Sequence, residues 1–580
     1  MPSITINEIT VEVPDGTTIL EAARQADVEI PTLCKHPDLL AGAGCGICVV
    51  RIEGANRLIR ACCTPVSDGM RVQTHTADIV AVRRTVLEAI LSDHPNECLT
   101  CGRNGTCELQ KLAADFGIQR QWMPSLVRDL PLDTSTGSIV LDPRKCVKCG
   151  RCIHVCQDKQ DVWALSFLER GLETRISPAG DIALGDSPCI RCGQCSAHCP
   201  VGAILEYDQT QEVWAALNDP DTVCIAQIAP AVRVSVGESF GYPPGANLDG
   251  QIYSALRRMG FDTVFDTTFG ADVTIMEEAS ELVSRLQEQP ERLPLITTCC
   301  PSWVDFMEKF HHDMIDHFSS CKSPHAILGT LTKTWYAEQA GIDPARICMV
   351  SIMPCTSKKY EIIRHRSMFA SGEQDVDVSI TTREFVRMIK QSGVRITDLP
   401  CLDEPDDPMG EHSGAGTIFG ATGGVMEAAL RTAHNLLTGS DRDQPEFPEL
   451  RSLDGVKYAT IDIAGRELRV AVAHGCGHVE TVLDQIRNAP EGEPPFHFVE
   501  VMACPGGCIG GGGQAWRVSD ATRAARAAGL HKDDRVRSIR CSHANPSVQR
   551  LYREFLGEPR GAKAHELLHT TYQARPQYLR

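Results

Sequence analysis

The sequence has no long apolar run, no excess of positive charge and no low-complexity segment. No run approaches the ~18 apolar residues that a membrane-spanning helix requires. The opening MPSITINEIT has neither the basic nor the apolar segment of a signal peptide. Lys and Arg number 57 against 75 Asp and Glu, and the net charge of −18 disfavours a phosphate backbone as partner. These absences predict a cytoplasmic protein with no membrane span and no nucleic-acid partner.

The length of the sequence and its cysteine content indicate how many domains to expect and what they bind. At about 150 residues per domain, 580 residues suggest roughly four domains, and 42% hydrophobic residues can form their cores. Many of the 27 cysteines are grouped as CxxC. Thiols at that spacing do not easily close on each other as a disulfide, but they can converge on one metal or cluster. Metal ligation is therefore expected, with structural zinc as the alternative.

The first cysteine group follows a predicted β-hairpin. Apolar and polar residues alternate from Ile4 to Val13 around a turn at Asn7-Glu8. The next segments carry four candidate ligands of a [2Fe-2S] centre: Cys34, Cys45, Cys48 and Cys62. The plant-type rule places four residues between its first two cysteines, whereas this sequence has ten, so zinc and structural thiols stay open. Cys63 is an alternative fourth ligand.

The second group contains a histidine. It reads H-x3-C-x2-C-x5-C and lies between two segments predicted as helices within residues 78–118. Its candidate ligands are His94, Cys98, Cys101 and Cys107. The imidazole would replace one thiolate of a [4Fe-4S] cluster, and a Cys3His zinc site is the alternative.

The third group contains two C-x2-C-x2-C-x3-C runs, typical of two-cluster ferredoxins. In that pattern the fourth cysteine of each run binds the other cluster. One [4Fe-4S] cluster is therefore expected on Cys146, Cys149, Cys152 and Cys199. The second is expected on Cys156, Cys189, Cys192 and Cys195. Zinc would not need eight interleaved thiols, and successive cluster sites predict an electron relay.

From about residue 220 the pattern becomes α/β, with short apolar runs alternating with helical periodicity. Three separate motifs contain cysteine: TTCCPSW, MPCTSKKYE and EVMACPGGCIGGGGQ. They supply Cys300, Cys355, Cys504 and Cys508. Four thiols from three segments predict one cluster site assembled by tertiary structure.

At these motifs, and at FGATGGVMEAALR (419–431) and the terminal AHELLHTTY, the sequence resembles [FeFe]-hydrogenases over nearly its whole length. The implied architecture is multidomain, α+β and α/β. We expect a β-grasp ferredoxin-like domain, a His/Cys3 cluster domain, a double [4Fe-4S] ferredoxin domain, a large α/β H-cluster domain and a helical tail that resembles the small subunit. Their expected ranges are 1–77, 78–125, 138–210, 220–514 and 515–580.

The resemblance implies an H-cluster at the last cysteine set. A [4Fe-4S] cube would be joined through Cys508 to a diiron unit that carries CO, CN and azadithiolate and is installed by maturation proteins. Lys358 matches the family lysine that hydrogen-bonds a cyanide. Met353 and Met502 match methionines that line the pocket, although core packing explains them as well.

Two positions near the implied diiron unit differ from the family pattern. After Pro230, Ala231 stands where a serine is common, and His325 stands where a glutamine is common. A missing hydroxyl near a cyanide can change the potential, the oxygen sensitivity or the catalytic bias. Neither replacement predicts an inactive protein.

The resemblance also implies a proton route. Glu278, Glu281 and Arg285 are spaced i, i+3 and i+7 and share one helix face, which by default would be an exposed salt-bridged face. With Ser319 they match a family route that runs from solvent through Arg285, Glu281, Ser319 and Glu278 to the thiol of Cys299. Carboxylates and hydroxyls at hydrogen-bond spacing can relay protons.

We expect a cytoplasmic enzyme that reversibly interconverts H2 with two protons and two electrons. The sequence has no convincing nucleotide fingerprint. Any NAD(P) is therefore expected to bind another chain. The N-terminal modules resemble those of NADP-reducing and electron-bifurcating multimeric hydrogenases, which implies that electrons reach ferredoxin, an NAD(P)H-linked flavoprotein subunit with further iron-sulfur proteins, or both. One alternative is a complex-I-like electron-transfer subunit, which leaves the three later motifs unexplained. The other is an H2 sensor or a non-catalytic relative, such as an assembly factor.

The cysteines outside these sets are most simply buried thiols, with Cys63 the exception noted above. They are Cys63, Cys224, Cys321, Cys348, Cys401, Cys476 and Cys541.

Overall fold

The computed structural model describes residues 1–579 except 41, 464, 491 and 517. Its N-terminal unit is a five-stranded sheet in the order β2-β1-β5-β3-β4, with β1 and β5 parallel and the other pairs antiparallel. The elements are β1 (Ser3–Ile6), β2 (Ile9–Glu12), α1 (Ile19–Gln25), β3 (Val49–Ile52), β4 (Ile59–Arg60) and β5 (Met70–Gln73). The predicted hairpin is confirmed as β1 and β2. Thr18 caps α1, because its hydroxyl accepts the N–H of Glu21 while the Glu21 carboxylate accepts the N–H of Thr18.

Two helices flank the His/Cys3 segment, as predicted: α2 (Ala77–Ser92) and α3 (Glu108–Asp115). The next unit contains both CxxCxxC runs. Its elements are β6 (Ile139–Leu141), α4 (Arg151–His154), β7 (Ser166–Leu168), β8 (Arg175–Ser177), α5 (Gln194–His198) and β9 (Ile204–Glu206). Gly150 and Gly193 precede α4 and α5 with φ of +78° and +71°. Only glycine adopts these angles without strain, so each run can turn sharply into its helix.

The large C-terminal half contains two four-stranded sheets. The first is wholly parallel, in the order β11-β10-β13-β14. The second has the order β12-β17-β16-β15, with only β15 antiparallel to its neighbour. The first-sheet strands are β10 (Val223–Ile228), β11 (Thr263–Asp266), β13 (Ile347–Met353) and β14 (Val378–Thr381). The second-sheet strands are β12 (Leu295–Ile296), β15 (Val456–Ile463), β16 (Arg466–His474) and β17 (Phe498–Met502).

Helices cover both sheets, and the near-continuous burial of the parallel strands explains their unbroken apolar runs. The helices are α6 (Thr210–Asn218), α7 (Pro230–Arg233), α8 (Asp249–Met259), α9 (Thr267–Glu288), α10 (Pro301–Phe310), α11 (Pro324–Leu331), α12 (Ala337–Ala340), α13 (Lys358–Glu361), α14 (Thr382–Gln391), α15 (Gly414–Thr417), α16 (Gly424–Thr438), α17 (Cys476–Arg487), α18 (Asp520–Val536), α19 (Pro546–Leu551) and α20 (Ala562–Leu568). Across the described ranges, none of them is both long and apolar enough to cross a bilayer.

Charged contacts attach the C-terminal helices to the rest of the fold. Asp534 on α18 accepts two hydrogen bonds from Arg431 on α16, at 3.0 and 2.9 Å, with both side chains fully buried. Arg523 on the same helix donates two bonds of 2.9 Å to Asp38 in the N-terminal unit. The predicted helical tail is therefore an integrated part of the core.

The expectation of buried spare cysteines is wrong for Cys401, which is exposed, and Cys348 is only half-buried. The backbone carbonyl of Cys401 is what packs inward, because a Cβ at Gly250 would lie 2.4 Å from that oxygen. The thiol is therefore left on the loop surface.

The unit that contains both CxxCxxC runs touches the large half at two glycines, Gly193 and Gly512. A Cβ on Gly512 would lie 2.2 Å from the carbonyl oxygen of Cys192 and 2.6 Å from the Cα of Gly193. Both obstacles are backbone, so the two loops can approach this closely only without a side chain.

We expect Gly512→Ala to push these two units apart, because overpacking of this kind costs about 1–3 kcal/mol or more. The measurement is the thermal inactivation midpoint, which should fall by several degrees. Gly44→Ala is the matched control, since its Cβ would make only ordinary contact, at 3.8 Å, with Lys148. Equal midpoints for the two variants would contradict this close-packing argument.

Candidate functional site

A cavity lies where the carboxyl ends of the parallel strands of both sheets converge. Its walls come from the loops after β10, β12, β13 and β17, the usual location of ligand sites in open α/β sheets. Five cysteines line it: Cys299, Cys300, Cys355, Cys504 and Cys508. The other sequence-predicted pocket residues also line it: Pro230, Ala231, Met353, Lys358 and Met502.

Four of these thiols are crowded in a dry environment. Burial, together with the charges of the other cysteines, raises the pKa of Cys355 to about 12 and also raises that of Cys504 and Cys508. Burial likewise raises the pKa of Cys300. Thiolates are metal ligands, so four such groups facing one cavity suit a bound iron-sulfur cube. Close loop packing supports this, because a Cβ on Gly511 would lie 2.2 Å from the Pro354 oxygen.

Lys358 is the cation of the cavity. Its Nζ donates to Glu361 Oε2 at 2.7 Å, to Ser323 Oγ at 2.8 Å and to the carbonyl of Cys299 at 3.3 Å. Burial opposes its charge, but Glu361 outweighs burial and the pKa of Lys358 is raised. The side chain therefore presents a fixed positive charge, suited to an anionic ligand such as cyanide.

Glu361 is the residue of this site that the sequence reasoning missed. The same Oε2 that binds Lys358 lies 2.6 Å from Nε2 of His325. Burial opposes the charge of Glu361, whereas Lys358 and His325 hold its pKa well below the usual range. The signal was present, because Glu361 ends the MPCTSKKYE motif one helical turn after Lys358.

The three charged residues predicted on α9 are brought together, but in the interior. Arg285 donates to Glu281 at 2.6 Å and to the carbonyls of Arg292, His317 and Phe318 at 2.9, 3.0 and 2.8 Å. Arg285 is only 1% exposed, so its guanidinium lies inside the fold and not on an exposed salt-bridged face. The carbonyls of the turn after α9 and of the segment before Ser319 enclose its guanidinium.

Glu278 and Cys299 form the inner end of this group. Burial raises the pKa of Glu278 to about 8, the charge of Glu281 adds to the rise, and the nearby Ser319 hydroxyl opposes it. Burial, with the charge of Glu278, raises the pKa of Cys299 well above its ordinary value. Both groups therefore hold a proton at neutral pH, beside the cavity that Cys299 lines.

The N-terminal sheet brings its predicted ligands together. Cys34 lies beside Cys45 and Cys62, and Cys62 lies beside Cys48, while the backbone N–H groups of Gly44 and Cys45 are also close to the sulfur of Cys34. Cys63, the alternative fourth ligand, is exposed and its sulfur lies 3.8 Å from the carbonyl of Arg60. The geometry therefore favours Cys62 over Cys63.

Three smaller cavities collect the remaining predicted ligands. One is lined by His94, Cys98, Cys101 and Cys107. In the described part of the chain, Nδ1 of His94 is buried without a hydrogen-bond partner, as suits a metal ligand. The other two are lined by Cys146, Cys149, Cys152 and Cys199, and by Cys156, Cys189, Cys192 and Cys195. This grouping has the crossed pattern that the spacing predicts.

These cavities are adjacent. A Cβ on Gly42 would meet the carbonyl of Cys149 at 3.5 Å, and a Cβ on Gly202 would meet the sulfur of Cys101 at 2.5 Å. The [2Fe-2S] loop and the His/Cys3 segment therefore both pack on the unit that holds Cys149. The loop at Cys192 in turn packs on Gly512, beside the large cavity.

Family models match almost the whole chain. "Iron only hydrogenase large subunit, C-terminal domain" covers residues 222–512, about half of the chain, and "Iron hydrogenase small subunit" covers 520–575. A "2Fe-2S iron-sulfur cluster binding domain" covers 2–77. An "NADH-ubiquinone oxidoreductase-G iron-sulfur binding region" covers 83–121, and a "4Fe-4S dicluster domain" covers 145–204.

Two similar proteins span the full length. NADP-reducing hydrogenase subunit HndD of Solidesulfovibrio fructosivorans is 44% identical over 99% of each chain, and iron hydrogenase 1 of Clostridium pasteurianum is 38% identical over 99% of this chain and 100% of its own. Cytosolic iron-sulfur assembly component 3 of Mus musculus is 31% identical over 60% of this chain and 74% of its own. A structure of apo [FeFe]-hydrogenase HydA1 from Chlamydomonas reinhardtii is 42% identical, covers 64% of this chain and 100% of its own, and has a TM-score of 0.57.

The raised pKa of Glu278 gives a testable pH dependence. Because the pKa is about 8, the side chain is protonated at pH 7 and ionises as the pH rises through about 8. The carboxylic-acid C=O band in infrared difference spectra should therefore be present at pH 7, decline above pH 8 and be absent from Glu278→Gln. A band that persists in Glu278→Gln, or a carboxylate already present at pH 6, would contradict this assignment.

Proposed function

The chain belongs to the [FeFe]-hydrogenase family, and from that premise we propose which of its residues perform the reaction. It catalyses the reversible interconversion of H2 with two protons and two electrons, and iron-sulfur domains precede its catalytic domain. The observation that supports our assignment is the single cavity lined by Cys299, Lys358 and the four thiols from three motifs. A complex-I-like electron-transfer subunit would not require this cavity.

We propose that Cys300, Cys355, Cys504 and Cys508 would hold the [4Fe-4S] cube of the H-cluster, and that Cys508 would also hold the diiron unit. When bound, the H-cluster supplies the iron chemistry that breaks and forms the H–H bond. Lys358 would hold a cyanide ligand of the bound group by charge and hydrogen bonding. Met353, Met502, Pro230 and Ala231 line the cavity with apolar groups that exclude water.

Cys299 gives and accepts the proton at the cavity, and Glu278 exchanges it with Cys299. The proton then moves by way of Ser319 to Glu281, whose free oxygen has no hydrogen-bond partner among the residues described. Arg285 is a positioning residue, because it holds the other oxygen of Glu281 at 2.6 Å. Since Glu278 and Cys299 both carry protons at neutral pH, either can start the transfer.

The relay contains one [2Fe-2S] and three [4Fe-4S] clusters in the domains 1–77, 78–125 and 138–210. The H-cluster lies in 220–514, and 515–580 completes that domain. The [2Fe-2S] ligands are Cys34, Cys45, Cys48 and Cys62; the His/Cys3 ligands are His94, Cys98, Cys101 and Cys107; the ferredoxin-type ligands are the two crossed sets described above. The packing of Gly42 and Gly202 supports a branched relay. One entry branch starts at the [2Fe-2S] cluster and the other at the His/Cys3 cluster, and the two meet at the cluster on Cys146, Cys149, Cys152 and Cys199.

The proposed electron partners are ferredoxin, NAD(P)H-linked flavoprotein subunits with further iron-sulfur proteins, or both. The full-length relative that is named a subunit of an NADP-reducing hydrogenase supports a multisubunit enzyme. Maturation proteins would install the diiron unit, and we place the enzyme in the cytoplasm. A chain that purifies alone and turns over efficiently with ferredoxin would argue against an obligatory flavoprotein.

We expect Cys299→Ala to keep its iron and its infrared bands of bound CO and CN but to lose turnover by a factor of about 10² to 10⁴, because only proton transfer is lost. Turnover is measured as H2 evolution from reduced methyl viologen. Cys321→Ala is the matched control, since Cys321 is a buried thiol two residues from Ser319 that we place outside the route. Near-normal turnover of Cys299→Ala would overturn the proton-route assignment.

We expect Cys146→Ala to keep the diiron bands but to impair electron exchange with ferredoxin severalfold, because a relay cluster loses a ligand. The comparison is the ratio of ferredoxin-linked to methyl-viologen-linked H2 evolution. An unchanged ratio would show that electrons bypass this cluster.

A further inference from the structure

One buried arginine connects three of the proposed cluster sites. Arg151 is the first residue of α4 and is only 3% exposed. Its Nη1 and Nη2 donate to the two carboxylate oxygens of Glu108, each at 2.8 Å. Nη2 also donates to the carbonyl of Lys35 at 2.9 Å, and Nη1 to the carbonyl of His198 at 3.4 Å.

Each of these three partner residues is adjacent in sequence to a proposed cluster ligand, and the three ligands belong to three different sets. Lys35 follows Cys34 of the [2Fe-2S] set, and Glu108 follows Cys107 of the His/Cys3 set. His198 precedes Cys199, and Arg151 itself precedes Cys152; both cysteines belong to the first ferredoxin-type set. A single guanidinium therefore links the ligand-bearing segments at the point where the two entry branches meet.

The chemistry of the link requires arginine. The planar guanidinium presents several donors in a fixed fork, so it can bind one carboxylate with both oxygens and still donate to two carbonyls. The single ammonium of lysine cannot keep this geometry. Both oxygens of the Glu108 carboxylate accept hydrogen bonds from the guanidinium, and this paired contact compensates the burial of its charge.

We propose that Arg151 is a positioning residue that fixes the spacing of the [2Fe-2S], His/Cys3 and first ferredoxin-type sites and places a permanent positive charge at their junction. The proposal rests on the proposed function, because it uses the cluster ligands assigned there. It predicts two separable effects. Loss of the charge disfavours reduction of the cluster on Cys146, Cys149, Cys152 and Cys199, here called the junction cluster. Loss of the forked guanidinium geometry loosens the spacing between the three cluster sites.

The test uses the full chain carrying its clusters, as wild type, Arg151→Lys and Arg151→Met. The iron and sulfide content per chain is determined first. The reduction of each cluster is then followed by electron paramagnetic resonance in a redox titration. In Arg151→Met the ratio of reduced to oxidised junction cluster at fixed potential should fall about tenfold, equivalent to about 59 mV for a one-electron couple. In Arg151→Lys this ratio should change less than threefold, while the magnetic interaction between the reduced junction and [2Fe-2S] clusters weakens.

Arg83→Met is the matched control. Arg83, on α2, is also buried, at 5% exposure, but its Nη2 donates to the carbonyl of Val49 in the [2Fe-2S] unit, and among the described residues it has no hydrogen bond to the first ferredoxin-type set. It should leave the junction cluster unchanged. If Arg151→Met loses a cluster, the magnetic interaction between the reduced junction and [2Fe-2S] clusters is compared in Arg151→Lys and the wild type. An altered interaction supports the proposal, and an unaltered one overturns it.

Wild-type potentials and interactions in both Arg151 variants would overturn the proposal while leaving the proposed function intact. Failure of the proposed function has a different signature. The wild type itself would then contain too little iron and sulfide for the assigned relay clusters.

Discussion

Coordination of iron by buried thiolates is the interaction on which the rest of the structure depends. Burial raises the pKa of Cys146, Cys156 and Cys355 to about 12, so these groups would be neutral thiols in an empty apolar cavity. A bound cluster reverses that preference, because it keeps the sulfurs deprotonated and compensates their charge. The protein therefore supplies apolar cavities whose sulfurs become thiolates only when a cluster binds them.

This constraint explains where the chain uses glycine and buried charge. Loops that carry ligands must approach one another closely, and a Cβ on Gly511 or Gly512 would lie 2.2 Å from a backbone oxygen of the opposing loop. Buried cations sit beside the same loops: Lys358 at the large cavity and Arg151 at the junction. Each is paired with a carboxylate, Glu361 or Glu108, so that its charge survives burial.

The sequence alone predicted the local parts of this architecture well. The crossed grouping of Cys146 to Cys199 follows from spacing, because neighbouring ligands lie on one short turn. The hairpin and the helices around His94 follow from periodicity and capping. The family resemblance, confirmed by the comparisons, identified the residues of the large cavity.

Features that depend on tertiary contacts could not be predicted in this way. Strand β12 has two residues, so its pairing with β17 has almost no periodic signal. From its spacing in the sequence, Arg285 would be placed on an exposed salt-bridged face. In the structure, the backbone carbonyls around Phe318 enclose its guanidinium. The role of Glu361 depends on His325, which lies on another helix. Periodicity reports which face of an element is apolar and does not report what covers that face.

The central claim is that the cavity between the two sheets holds the H-cluster, with Cys508 joining its two parts. The most direct measurement is the infrared spectrum of the chain matured with its assembly proteins, recorded beside Cys508→Ala. The account predicts bands of iron-bound CO and CN in the wild type and their loss in Cys508→Ala, with the relay clusters retained. No such bands in a wild type fully loaded with iron and sulfide, or unchanged bands in Cys508→Ala, would contradict it.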